Sequence, residues 1–346
     1  MLEGQVSVLS SKFLKPEKAV VLLKALRSSS LYREDQQSYL LYPNRRLPHF
    51  IEKNIIPNKL ANKSKILKQL IHDKRKDIIE IDIEGKIHFN SRFRNSKILK
   101  DVLDRLEIYS EKDIQTVLNI YEEIFDHQSF TGRSGSFFKY EGLGSIYWHM
   151  VSKLLLAVNE IYYTAITTKT DRKTTDELKT IYYEIKEGLG INKNPAQYGA
   201  FPTDPYSHTP AHCGVQQPGM TGQVKEDYLA RFGELGVHVK NGCVSFRPVL
   251  LKQSEFITKR DKFNFYNING EKTTITLEKN SLAFTYIQIP IIYTLSDKDQ
   301  ITITLKNDER KTIKGSDLNP DISRSIFNRT GEINKIEVSM DRSLFN

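Results

Sequence analysis

Along the first two-thirds of the chain the apolar residues recur three and four positions apart, and from Gly242 onward they alternate. The first pattern predicts helices. Pro16 opens one through Ala19, Val20, Leu22, Leu23 and Leu26, which stops at Ser28, Ser29 and Ser30. A second, over residues 63–72, leads into a hairpin in which Ile79, Ile81 and Ile83 alternate with charged residues, Glu84-Gly85 turns, and Ile87 and Phe89 return. Helices resume through Ile98, Val102, Leu103 and Leu106, and then through Ile114, Val117, Leu118, Tyr121, Ile124 and Phe125. Residues 146–166 are apolar on so many sides that they predict a buried inner helix, followed by helices at 174–187 and 220–232.

The alternating part predicts strands at Val244, Phe246 and Val249, at 274–277, 282–292, 301–305 and 333–338, with turns at Asn269-Gly270, Lys279-Asn280, Asn307-Asp308 and Thr330-Gly331. The expected class is therefore an α+β multidomain chain. Residues 1–240 form a helical domain of antiparallel pairs with a small β-hairpin near 78–89, and residues 241–346 form an antiparallel β-sandwich. The stretch 188–218 is far longer than a connection requires and carries Tyr198, Phe201, Tyr206, His208 and His212, so it reads as a site loop.

Composition narrows the class of partner. With 39% hydrophobic and 27% charged residues the chain is that of a folded globular protein. Its longest apolar run, 282–293, is interrupted by Thr285, Gln288 and Pro290, short of the roughly 20 residues a spanning helix needs, so no membrane partner is expected. Met1 to Gln5 lack the features of a signal peptide, and Cys213 and Cys243 suit a reducing compartment; a cytoplasmic location follows as the expectation. The net charge of +9 is scattered among acidic neighbours along helices, without the aromatic and basic interleaving of a nucleic-acid surface, so no nucleic-acid partner is expected.

Three glycine-bearing polar segments lie at helix boundaries: residues 131–142, 198–212 and 216–222. Loops entering inner helices of antiparallel pairs gather at one end, where they line one pocket. Thr221 and Gly222 fall where a helix begins, and its unpaired N–H groups favour an anion; the alternative is that Thr221 only caps the helix. His149 lies in the first turn of the buried helix beside Trp148, as a ligand-binding group or as a hydrogen-bonded core residue. His208, His212 and Cys213 would suit a metal, but Pro210 breaks the helix that would align the two histidines, and no metal or organic cofactor is expected.

The order of these features carries a resemblance. A helix start with His149, a long loop, and then Met220-Thr221-Gly222 opening a helix that runs through Phe232-Gly233-Glu234-Leu235-Gly236-Val237 into a strand resembles the C-terminal half of inverting glycoside phosphorylases of the glycoside hydrolase family 94 type. The stretch from Tyr39 to Asn54 looks like the larger relatives that phosphorolyse β-1,3-linked glucans. The resemblance spans residues 131–249 best, and Met150-Val151 and Gln223-Val224 depart from the family's pattern.

It implies the C-terminal portion of an (α/α)6 barrel followed by a β-sandwich. It also implies that His149, Thr221 and Gly222 bind inorganic phosphate as co-substrate. Arg133, Lys139, Tyr140 and Glu141 would border a sugar subsite with Trp148, walled by Tyr206, His208 and His212. Phosphate would attack the anomeric carbon while a carboxylic acid protonates the glycosidic oxygen from the other face. In the family that acid precedes the matched segments, so the catalytic residue is unassigned. The chain is then expected to be a C-terminal part that needs the N-terminal remainder of the barrel, from the same or a neighbouring chain, with self-association through its open apolar face. Two other readings remain: an (α/α)-barrel hydrolase using Asp204 and Glu141, and a non-catalytic carbohydrate-binding or assembly module.

Overall fold

The computed structural model describes residues 1–44, 48–106, 108–126, 144, 146–191 and 221–345. In chain order these form α1 (Leu2–Ser10), α2 (Pro16–Arg27), β1 (Tyr32–Arg33) and β2 (Ser38–Tyr39). Then come α3 (Phe50–Lys53), α4 (Asn58–Ala61), α5 (Lys65–His72), β3 (Ile79–Ile81), β4 (Ile87–Phe89), α6 (Ser96–Arg105) and α7 (Glu111–Phe125). Next are α8 (Trp148–Thr167), α9 (Arg172–Lys186), a π turn over Glu187–Ile191, α10 (Thr221–Glu234), β5 (Val237–Lys240) and β6 (Cys243–Phe246). The chain finishes with β7 (Asp261–Tyr266), β8 (Lys272–Leu277), β9 (Ser281–Tyr286), β10 (Ile289–Ser296), β11 (Gln300–Leu305), β12 (Arg310–Lys314), α11 (Pro320–Phe327) and β13 (Ile333–Asp341). Two compact units result, residues 40–145 and residues 1–39 with 146–346.

In the 40–145 unit, side-chain caps start the helices: Ser64, Asn95 and Ser110 accept from the backbone N–H three residues on. The β3–β4 hairpin pairs Ile79 with Phe89 and Ile81 with Ile87, as the alternation predicts. Asn54 extends it, with Nδ2 donating to Phe89 O and Oδ1 accepting from Phe89 N, at 2.7 and 3.0 Å. The core gathers Leu67, Leu70, Phe89, Leu99, Leu103, Val117 and Tyr121, and the Tyr121 hydroxyl donates to Phe93 O at 2.6 Å.

In the other unit α8 is the centre. Its buried residues include Trp148, Val151, Leu154, Leu155, Val158, Ile161 and Ala165, which leaves only a narrow polar stripe through Lys153, Glu160, Thr164 and Thr167. α1 and α10 pack on it, and α9 folds back antiparallel after a turn capped by Asp171. α8 and α10 run parallel: His149 near the start of one faces Glu226 early in the other, and further along Asn159 donates to Ala230 O at 3.3 Å. Gly233 permits this approach, since a Cβ there would lie 2.1 Å from Asn159 Oδ1.

The strands form a five-stranded sheet in the order β12-β11-β13-β10-β9, with β5–β6 and β7–β8 as separate hairpins. β10 and β13 run parallel, whereas the expectation was wholly antiparallel; the connection through β11, β12 and α11 is long enough to return the chain in the same direction. The apolar run at 282–292, read as one strand, is two. It reverses at Ile287 and Gln288, both in left-handed backbone at φ 50° and 64°, where neither residue signals a turn. Ile291, Tyr293, Ile301, Ile303, Ile336 and Val338 pack against Val244, Phe246 and Ile326.

Candidate functional site

α10 opens at Thr221 with Gly222 as its second residue, so its unpaired backbone N–H groups stand at that end. Glu226 follows about 7 Å further along the axis, by the helical rise. Its carboxylate is 3% exposed, and Oε2 faces His149 Nε2 at 3.1 Å. The two atoms are both excluded from solvent, yet the pair lacks hydrogen-bond geometry, and among the described residues neither atom has another hydrogen-bond partner. Two buried polar atoms in this state are costly, which marks the place for a functional reading. Lys225 Nζ lies 3.3 Å from Glu226 Oε1 on the exposed side, and the Tyr147 ring meets the His149 ring edge-on at 5.8 Å.

The fold thus brings His149 to the N-terminal part of the helix that Thr221 and Gly222 open. Trp148 has no exposed surface and packs in the core at the head of α8, so stacking of a sugar on it would require it to be uncovered. Arg133, Lys139, Tyr140, Glu141, Tyr206, His208 and His212, and Asp204 of the hydrolase reading, lie outside the described residues. Among the described residues no group of three or more His, Cys, Asp or Glu is placed to hold a metal ion, and no helix is long and apolar enough to cross a membrane.

Sequence reasoning missed Glu226. Its signal was available: Glu226, Ala230 and Glu234 recur four apart on the buried face of α10, and a carboxylate repeated on a buried face requires a partner. Glu234, 1% exposed, has three partners: Tyr182 Oη donates to Oε1 at 2.7 Å, Lys186 Nζ also donates to Oε1, and Arg231 Nη1 donates to Oε2 at 2.7 Å. Burial would raise its pKa, but the bonds from Lys186, Tyr182 and Arg231 outweigh burial and hold it below the usual glutamate value. Burial and the Glu234 charge drive the Tyr182 hydroxyl far upward, so it stays a donor. A cavity of about 390 Å³ beside this cluster is lined by Leu155, Leu189, Asp227 and Arg231, among others. The larger groove, about 870 Å³ between α2 and α9, holds none of the expected site residues. Glu234 is a satisfied anchor, whereas Glu226 Oε2 has no hydrogen bond among the described residues, and that difference sets the His149 site apart.

Comparison with known proteins gives one family match: residues 47–128 fit the family described as GH149 phosphorylase insertion domain 2. The match covers less than half of the chain and falls within the 40–145 unit, away from residues 131–249 where the resemblance was strongest. It ties the chain to a carbohydrate-active phosphorylase family at the level of that insertion domain. No curated protein matches the chain.

Proposed function

We propose that the chain is part of a glycoside phosphorylase that transfers a glucosyl unit from a β-glucan, of the β-1,3-linked class, to inorganic phosphate with inversion. Its part is to hold the phosphate. The observation that carries this reading is His149 facing the buried carboxylate of Glu226 beside the N-terminal end of α10. The carboxylate packed against Nε2 at 3.1 Å sets which edge of the ring faces away from Glu226 and leaves Nδ1 for a ligand. The backbone N–H groups at Thr221 and Gly222 add donors and the positive end of the helix dipole.

In the reaction a phosphate oxygen attacks the anomeric carbon, the glycosidic carbon–oxygen bond breaks, and a carboxylic acid delivers its proton to the departing oxygen. His149 and the α10 amides orient the nucleophile, and the positive end of the helix offsets its charge. The general acid is not assigned to a residue of this chain and is taken to be supplied by another segment of the assembled enzyme. The helices around α8 are read as hairpins of an (α/α)6 barrel, and Arg133, Lys139, Tyr140, Glu141, Tyr206, His208 and His212 as the sugar subsite. The GH149 insertion-domain match favours phosphorolysis over hydrolysis.

The test is calorimetric titration of the chain with inorganic phosphate, beside release of sugar 1-phosphate from β-1,3-gluco-oligosaccharides by the assembled enzyme. His149→Ala and Thr221→Ala are each expected to weaken phosphate binding about tenfold, as for loss of one charge-assisted or amide-adjacent contact. Phosphate affinity unchanged in both variants, or sugar release that proceeds equally without phosphate, would sink the reading.

A further inference from the structure

At the end of the five-stranded sheet where β10 and β13 begin and β11 finishes, a cavity of about 440 Å³ opens, separate from the His149 site. Phe265, Ile289 and Pro290 form its apolar floor, and Lys306, Arg329, Asn269 and Asn334 stand around it. No carboxylate lines it. Glu271 and Glu332 stand outside its lining, where Glu271 accepts from Asn267 Nδ2 at 2.9 Å and Glu332 accepts from Ser325 Oγ at 3.2 Å. Among the described residues Lys306 and Arg329 have no carboxylate partner, so the cavity holds two positive charges that nothing in it neutralises.

The strained turn between β9 and β10 is built into this wall. A β-branched residue such as Ile287 is among the least suited to left-handed backbone, and such a conformation persists only where its surroundings over-determine it. Gln288 supplies that constraint: its Nε2 donates to Asn267 O at 3.2 Å, and its Oε1 accepts from the Arg329 guanidinium. The turn therefore fixes the arginine at the rim. An adjoining groove of about 620 Å³ shares Lys306 and is lined by Lys311 together with Asp321 and Glu332, so the uncompensated charge is confined to the first cavity.

We propose that this cavity binds a small phosphate-bearing sugar, its phosphate between Lys306 and Arg329 and its hydroxyls on the Asn269 and Asn334 amides. A guanidinium fork matches phosphate oxygens, and an amide both donates to and accepts from a hydroxyl. The volume suits a ligand of that size. Phe265 is 8% exposed and buried in the floor, so the lining offers no free ring on which a nucleobase would stack. This proposal does not rest on the phosphate reading at His149.

The test uses the full chain carrying His149→Ala, so that the other anion site is removed. It is titrated by calorimetry with glucose 1-phosphate, inorganic phosphate and a neutral β-glucan oligosaccharide, each at two salt concentrations. Glucose 1-phosphate is expected to bind more tightly than either other probe, to weaken with salt, and to lose about tenfold in affinity in Arg329→Ala and in Lys306→Ala. Both residues are exposed, and unchanged melting temperatures would show that the variants fold. Gln288→Ala should produce a smaller loss, through the arginine it positions. The proposal is overturned by no binding, by binding that both substitutions leave unchanged, by a neutral oligosaccharide binding as well as the sugar phosphate, or by inorganic phosphate alone binding as tightly.

Discussion

Replacing Gly233 with alanine tests the packing that places His149 against α10. The new Cβ would lie 2.1 Å from Asn159 Oδ1, 2.6 Å from Nδ2 and 2.7 Å from Cγ, all closer than any real contact. Asn159 is 4% exposed and donates to Ala230 O at 3.3 Å, so it has little freedom to retreat. Overpacking costs about 1–3 kcal/mol. Displacing the amide leaves buried polar groups unpaired at about 1–3 kcal/mol more. Alanine's better helix propensity returns about 1 kcal/mol. The net expectation is a loss of about 3 kcal/mol, a large part of the roughly 5–15 kcal/mol typical of a folded domain. Urea denaturation followed by circular dichroism measures it. Gly4→Ala is the control: it sits within α1 with no atom within 4 Å of the added carbon, and should gain about 0.5–1 kcal/mol. The double variant Asn159→Ala, Gly233→Ala should be less destabilised than the sum of the two single losses by more than about 0.5 kcal/mol. Gly233→Ala melting at or above the unsubstituted chain would refute the account of the α8–α10 contact.

Four other outcomes are expected. Glu226→Gln keeps the shape of the side chain but removes the charge facing His149, and should weaken inorganic phosphate binding about tenfold by calorimetry; unchanged affinity would deny Glu226 a part in the site. Because the folded-state pKa of Glu234 is depressed, its stabilising share is complete above its ordinary value of 4.5 and disappears as pH falls through the lower folded value; Glu234→Gln should flatten the acid limb of the stability curve in that window. His238, stacked on Tyr163 at 3.6 Å, is pushed down to about 4 by burial and then by the Arg247 charge. Its neutral form is therefore favoured in the fold, and stability should decline as pH drops from 6.5 towards 4, by about 1 kcal/mol once partial exposure is allowed for; His238→Phe should remove that decline in melting experiments. Gly236, at φ 68° with a Cβ position 2.0 Å from the Arg247 carbonyl carbon, should tolerate no side chain, and Gly236→Ala should cost at least about 3 kcal/mol or abolish soluble expression.

Much of the local structure was legible because it is written in periodicity. The all-round apolar character of residues 146–166 predicted a buried helix, and α8 is one; the alternation around Glu84-Gly85 predicted the β3–β4 hairpin. The helix at Leu2–Ser10 went unread although Leu2, Val6 and Leu9 are buried, because nine residues with two small polar ones give a weak stripe. β7 and β12 also went unread, since Asp261, Lys262, Arg310 and Lys311 face solvent and break the alternation that marks a half-buried strand.

The amino-acid order by itself determined the longer helices, the strands that alternate cleanly, and that His149 and Thr221 stand at helix starts, because backbone preference and one-sided burial are local quantities. Only the tertiary structure decided that Glu226 faces His149, that Glu234 has three donors while Glu226 Oε2 has none of acceptable geometry among the described residues, that β10 and β13 run parallel, and that the chain reverses at Ile287. Each of these depends on which faces of distant elements meet. At Ile287 the preference of the residue itself points the other way, and the contacts of Gln288 with Asn267 and Arg329 accompany a turn that local sequence would not choose.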